Sequence, residues 1–176
     1  EDVFYVSMHE GGIYPGTGAV DETGEDAGEF RTMNLPMPPG STSSAYLTAL
    51  EMVIYPALGA FDPDLVLVSA GFDAHEHDPI SRMRVSTEGS GRLAAAVADL
   101  ATEIEAGLAF VLDGGYGLDT LSQSVRTVHE PFHGYEPAPL DGDPEDSAPA
   151  ALDRPVHQGF RPLEAATSPP NPAPDL

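Results

Sequence analysis

The feature that most constrains this chain is a set of three short apolar runs, residues 3–7 (VFYVS), 65–70 (LVLVSA) and 109–112 (AFVL). Continuous runs rich in Val, Leu and Phe, without polar alternation, are the pattern of strands buried on both faces of a parallel sheet. Helical spacings lie between them. Residues 43–58 carry Tyr46, Leu47, Leu50, Val53, Ile54 and Leu58 near i, i+3, i+4, after a cap region Gly40-Ser41-Thr42 and with Pro56 near the end. Residues 87–105 set Leu93, Ala94, Val97, Leu100, Ala101 and Ile104 along one side, with Thr87 as the cap and Gly107 as the stop. A last helix is predicted from Leu118 to about His129, halted before Pro131. Strand and helix in alternation signal an α/β fold with a mainly parallel sheet and flanking helices.

With 176 residues the chain can build one domain with a sizeable core. An apolar run almost at Glu1, with nothing before it to pair with, is read as a domain whose front part is missing. Residues 8–39 are long, rich in Gly and Pro and poorly periodic, which marks a structured functional loop. The character changes after His133, where Pro and acidic residues replace apolar periodicity. Residues 1–133 are therefore read as the domain and 134–176 as a disordered acidic tail.

The charge is lopsided, with 29 acidic residues against 7 basic ones and a net charge of −22. Every basic residue is arginine. A hydrophobic content of 41% argues against disorder in the first three quarters. The acidity fits a folded protein of a high-salt-adapted organism, because self-repulsion is screened within about 3 Å at molar salt. It argues against direct nucleic-acid binding through phosphates. An acidic face that attracts basic peptides is the competing explanation. The absence of cysteine excludes disulfides and cysteine-ligated zinc, so any metal must sit on His, Asp or Glu. No run approaches ~18 consecutive apolar residues, so no membrane span is expected and the cytoplasm is the default location.

In a parallel sheet the residues beyond the strand ends share one edge, where ligands bind. Here those positions are Met8-His9-Glu10-Gly11-Gly12, Gly71-Phe72-Asp73-Ala74-His75 and Asp113-Gly114-Gly115-Tyr116. Topology thus brings a His, an Asp and a Tyr toward one another. Asp73 can coordinate a divalent ion, although a helix cap or loop-stabilising role is the commoner one for such an Asp. Tyr116, after glycines that allow close backbone approach, can donate to a developing oxyanion; alone it reads better as an ordinary half-buried tyrosine. The run His75-Glu76-His77-Asp78 before Pro79 reads as a solvated loop, not a metal cluster. There is no G-x-S-x-G, H-E-x-x-H, P-loop or G-x-G-x-x-G motif.

Four blocks together resemble the histone deacetylase superfamily, closest to its class II and its bacterial and archaeal amidohydrolase-like members. They are Val6-Ser7-Met8-His9 with Tyr14-Pro15-Gly16-Thr17-Gly18, the stretch from Pro63 to His75, the pair Asp78-Pro79, and Gly114-Gly115-Tyr116 with Leu118. Their order and spacing cover residues 3–129. The resemblance implies the C-terminal part of an arginase-like domain with a zinc ion at the strand ends. It implies Asp73 as one zinc ligand and Tyr116 as the donor to the substrate carbonyl. Tyr14 and Gly115 would line an acyl-lysine tunnel, and Ser7 and Met8 would help hold a structural monovalent cation, K+ or Na+. The implied substrates are acetylated lysine peptides or small acetylated amines.

The departures bound this reading. The family's Asp-x-His ligands and its catalytic His pair precede the Val-x-Tyr-x-Ser strand, and neither is in this chain. One ligand of three does not hold catalytic zinc, so the chain alone is expected to be inactive. Smaller departures are Asp113 where Glu is usual, Ser90 where an aromatic is common, and Arg31 in a loop position usually aromatic or glycine. The competing expectation is a non-catalytic remnant or acidic binding module of the same fold. A nucleotide-binding domain would need a phosphate loop that is not found.

Overall fold

A computed structural model describes residues 2–134 and Leu140. In chain order the elements are β1 (Tyr5–Glu10), β2 (Thr32–Met37), α1 (Ser43–Ala49), a π-helical segment (Leu50–Ile54), α2 (Tyr55–Phe61), β3 (Leu65–Ala70), α3 (Thr87–Glu103), β4 (Gly107–Leu112) and α4 (Leu118–His129). β1 pairs in parallel with β2, and β3 in parallel with β4. The expected α/β alternation is present, and the described pairing forms two separate two-stranded ladders. The expected tail, residues 134–176, lies outside the described residues except for Gly134 and Leu140.

Four local readings need correction. β2 falls inside the stretch read as loop, because Thr32-Met33-Asn34-Leu35-Pro36-Met37 has no continuous apolar run. Its Pro36, opposite His9, cannot donate to a ladder, which suits a strand paired on one side only among the described residues. β1 extends to Glu10, so Met8, His9 and Glu10 lie within the strand and not beyond its end. The helix read over residues 43–58, with Pro56 near its end, runs three residues further, to Phe61. The widened turn of the π-helical segment absorbs the missing N–H and the ring of Pro56, and the helix continues. The cap of α3 is Ser86, whose hydroxyl accepts from Gly89 N–H at 3.0 Å; the helix stops through Glu105 in a left-handed conformation (φ 55°), two residues before Gly107.

The core gathers under the first ladder. Leu35 and Met37 of β2, Ala45, Tyr46 and Ala49 of α1, Leu50, Ile54, Met83 and Val85 form one buried cluster, with Val6 and Met8 packed against it. The helix Ser43–Phe61 has a mean hydropathy of 1.2, enough by length and composition to cross a bilayer. Here it is the core helix, with Glu51 and Met52 on its outer side. Ser43 is fully buried and its Oγ accepts Ser86 N–H at 3.0 Å, which locks the start of α1 to the start of α3. A Cβ on Gly89 would fall 2.0 Å from that hydroxyl oxygen, so the joint admits only glycine.

The strands were read as buried on both faces, and the second ladder departs from that. β3 alternates exposed and half-buried residues, with Leu65 and Leu67 57% and 63% exposed. Val111 and Leu112 of β4 are also more than half exposed. α3 packs against β4 and α4, whereas no described residue covers the other face.

Candidate functional site

β3 ends at Ala70 and β4 at Leu112, and the two following loops are stitched together. Phe72 N–H donates to the Gly114 carbonyl at 2.8 Å, and Asp113 N–H to the Ala70 carbonyl at 3.1 Å. Glycines leave room for the Asp73 carboxylate between them. A Cβ on Gly114 would come within 2.9 Å of its carboxyl atoms, and one on Gly71 within 3.1 Å of Oδ1. Gly115 has φ +127°, and a Cβ there would press on Phe72 and Leu121 at 3.0 Å. The glycine run therefore has a packing reason as well as a conformational one.

Asp73 is half-buried, and its carboxyl is pushed above the usual carboxylate range. Burial is the largest cause, and the nearby charges of Asp78 and Asp113 add to it; backbone N–H bonds from Asp73 and Ala74 oppose it. A partly desolvated carboxylate beside two others gains from a cation. Its own carbonyl accepts the Ser81 hydroxyl, which steadies the loop. Tyr116 follows in the adjoining loop and is 57% exposed. Its N–H donates to Asp78 Oδ2 at 2.8 Å. The structure thus brings the Asp73 and Tyr116 loops together.

His9 is used differently. Its Nε2 lies 3.1 Å from the Gly18 carbonyl, which can only accept, and its Nδ1 lies 2.9 Å from Ser7 Oγ. The ring pins the 11–18 loop to β1, and none of its described hydrogen bonds joins it to Asp73 or Tyr116. Ser7 spends one of its hydrogen bonds on the same ring. Tyr14 is 94% exposed in the loop that His9 fastens.

His75 is not the solvated residue the sequence suggested. It is buried, Nδ1 accepts His77 N–H at 3.1 Å, and Nε2 pairs with Thr87 Oγ1 at 3.0 Å. Burial lowers its pKa, the His77 ring beside it adds to that, and Glu76, Asp78 and Glu88 oppose it. Asp113 is engaged by Ser69 Oγ at 2.6 Å, and Asp78 spends both oxygens on the N–H groups of Ile80 and Tyr116. No group of three or more His, Asp or Glu suited to a metal occurs among the described residues. Asp73 could supply one carboxylate ligand, and the described residues alone hold no complete metal-ligand set.

Two functional neighbours were not singled out from the sequence. Glu10, buried at the end of β1, accepts Arg82 N–H at 2.8 Å and Nε–H at 2.6 Å, with Arg82 Nη2 at 2.5 Å. The pair ties β1 to the segment after Asp78, and no local pattern signals a partner so distant in sequence. Asp78 stood in one of the quoted blocks, but its role as an acceptor for two backbone N–H groups is visible only in three dimensions.

A family model, the histone deacetylase domain, matches residues 1–131. Histone deacetylase 10, chloroplastic, of Oryza sativa subsp. japonica is 39% identical over 165 residues, covering 89% of this chain and 37% of that protein. The histone deacetylase-like amidohydrolase of Pseudomonas aeruginosa is 36% identical over 118 residues, 66% of this chain and 31% of that protein. Among solved structures, the HDA15 HD domain superposes with a TM-score of 0.71 at 34% identity, covering 86% of this chain and 40% of that one. An acetylpolyamine aminohydrolase from Burkholderia pseudomallei gives a TM-score of 0.68 at 34% identity, over 74% and 38% of the two chains. The chain spans little more than a third of the length of the curated relatives it matches. The fold is the arginase-like one of these neighbours, and the family is generally zinc-dependent and acts on acetylated substrates. By sequence and by fold alike, this chain belongs to the histone deacetylase family.

Proposed function

We propose that the chain is the C-terminal part of a zinc-dependent deacetylase that hydrolyses acetyl-lysine or related acetylated amines. The observation that carries the reading is the joining of the Asp73 loop to the Tyr116 loop through Phe72–Gly114 and Asp78–Tyr116 in a chain of this family. Asp73 is one metal ligand. The other two and the catalytic His pair come from residues that precede Glu1 in a longer polypeptide. A metal so held supplies Lewis-acid polarisation of the amide carbonyl and a water of lowered pKa.

Within this chain the chemistry falls to Tyr116. Its phenol donates a hydrogen bond to the carbonyl oxygen as charge develops there, the position at which a fixed donor contributes most. Gly115 lets the substrate approach the backbone, and Tyr14 flanks the acyl chain from the opposing loop. Ser7 and Met8 contribute to a monovalent cation site, K+ or Na+, under the loop.

The test is zinc content and hydrolysis of an acetyl-lysine peptide and of an acetylated polyamine, measured in molar salt. The polypeptide extended upstream of Glu1 is expected to bind zinc and turn over, and the 176-residue chain to do neither. Asp73→Ala is expected to lose zinc, and Tyr116→Phe to keep zinc and lose turnover. Full activity in both variants would overturn the site assignment. An extended protein that binds no zinc and hydrolyses neither substrate would support the second reading, a non-catalytic member of the same fold.

A further inference from the structure

We infer that Asp78 is the positioning residue for Tyr116. The chemical meaning of this inference rests on the deacetylase reading; its geometry rests on hydrogen bonds alone. Tyr116 stands among Gly114, Gly115 and Gly117, and the residue is 57% exposed. Neither a stiff flanking backbone nor packing of the ring therefore sets where the phenol lies.

The Phe72–Gly114 bond holds the start of this loop, and at Tyr116 itself the fixed point is the backbone N–H, which donates to Asp78 Oδ2 at 2.8 Å. Oδ1 of the same carboxylate accepts Ile80 N–H at 2.9 Å, and Asp78 N–H donates to the His75 carbonyl at 2.8 Å. Asp78 is 9% exposed, so little water competes for either oxygen. Bonds to an anion sheltered in this way are shorter and stronger than neutral ones. One carboxylate thus fixes its own turn with one oxygen and the catalytic loop with the other. Asp73 lies five residues before Asp78 in the same loop, so the segment that anchors Tyr116 also bears the metal-ligand carboxylate. The sequence places Asp78 before Pro79 in a tight loop, an ordinary setting for an Asp that bonds its own backbone. The bond to Tyr116, 38 residues away, goes beyond that setting.

The test uses the upstream-extended polypeptide. Asp78→Ala is expected to lower kcat by about 10- to 100-fold, the scale of a misplaced catalytic group, with KM changed by less than about twofold. Asp78→Asn keeps an acceptor oxygen and is expected to retain more activity. In a Tyr116→Phe background, Asp78→Ala is expected to change kcat by less than about threefold, because the residue acts through the phenol. Hydrogen exchange of residues 113–118 gives a readout independent of turnover. It is expected to quicken in both Asp78 variants while exchange in α3 stays as it was. If Asp78→Ala loosens α3 as well, Asp78→Asn carries the comparison. Equal kcat losses in the two backgrounds, or unchanged exchange at 113–118, overturn the inference. A Tyr116→Phe variant with full kcat would instead bring down the deacetylase reading, and the exchange measurement would still decide the anchoring.

Discussion

The two ladders of this chain do different work. β1 and β2 lie against the helix Ser43–Phe61, and their side chains join the buried cluster with Leu50 and Ile54. β3 and β4 carry the candidate site on their outgoing loops, yet leave Leu65, Leu67, Val111 and Leu112 more than half exposed. Burial of a full aliphatic side chain is worth about 1.5–3 kcal/mol, so stability is concentrated under the first ladder. The loops of the second are held by hydrogen bonds, glycine fit and one charge. Packing and chemistry are therefore separable here to an unusual degree.

The largest effect expected from breaking that separation is a pair of opposite variants. Leu50→Ala should cost about 2–5 kcal/mol of unfolding free energy, the range for a buried leucine, and leave the kcat of the folded extended protein unchanged. Tyr116→Phe should leave the denaturant midpoint unchanged and lower kcat by about 100-fold or more, the cost of a lost oxyanion donor. Denaturation curves and steady-state rates on both proteins check the crossing. If both variants moved both quantities, the division of labour would be wrong.

A smaller effect is expected where the two regions meet. Arg82→Ala leaves Glu10 buried with one backbone donor, and should cost about 1–2 kcal/mol, less than for a wholly buried pair because the guanidinium is exposed to solvent. Arg82→Lys should recover only part of this, since an ammonium does not reproduce the two-pronged contact. Urea midpoints of the two variants make the comparison.

Acid tests the loop through His75. Its native pKa lies below the ordinary value of 6.5, so the unfolded chain binds the proton more readily. The stability it contributes is whole above pH 6.5 and is lost as pH falls through the lowered native value. Protonation also removes the acceptor that His77 N–H uses. Unfolding free energy should therefore fall below pH 6.5, and His75→Gln should flatten that part of the profile. A profile identical to the parent would assign the acid sensitivity elsewhere.

The smallest expected effect separates two states of the second ladder. Leu67→Thr in the 176-residue chain should change stability by less than about 0.5 kcal/mol, as for a surface position. In the upstream-extended protein the same substitution should cost about 1–3 kcal/mol if added residues cover that face. Equal small values in both would mean that the face stays open.

Much of the architecture was legible because buried apolar runs and a 3.6-residue period are strong local signals. Residues 65–70 and α4, Leu118–His129, came out where expected. β2 was hidden because Asn34 and Pro36 interrupt its apolar pattern, and its place depends on pairing with β1. The π-helical segment around Leu50–Ile54 is a response to Pro56 that propensity does not encode. In the site, Asp73 and Tyr116 could be placed on one edge by topology, and only family resemblance suggested their roles. The ties that hold them, Asp78 to Tyr116 and Glu10 to Arg82, join residues 38 and 72 positions apart. Contacts so remote leave no trace in a window of neighbouring residues.

The parallel pairing of β1 with β2 has one more consequence. Because β2 starts beside the beginning of β1, residues 11–31 must travel back along the whole strand, about 20 Å. That segment is longer than the return journey needs, and its surplus includes Tyr14, 94% exposed. Lengthening or shortening this surplus would leave the strands beneath in their register. The return path is where this scaffold has slack to change its length.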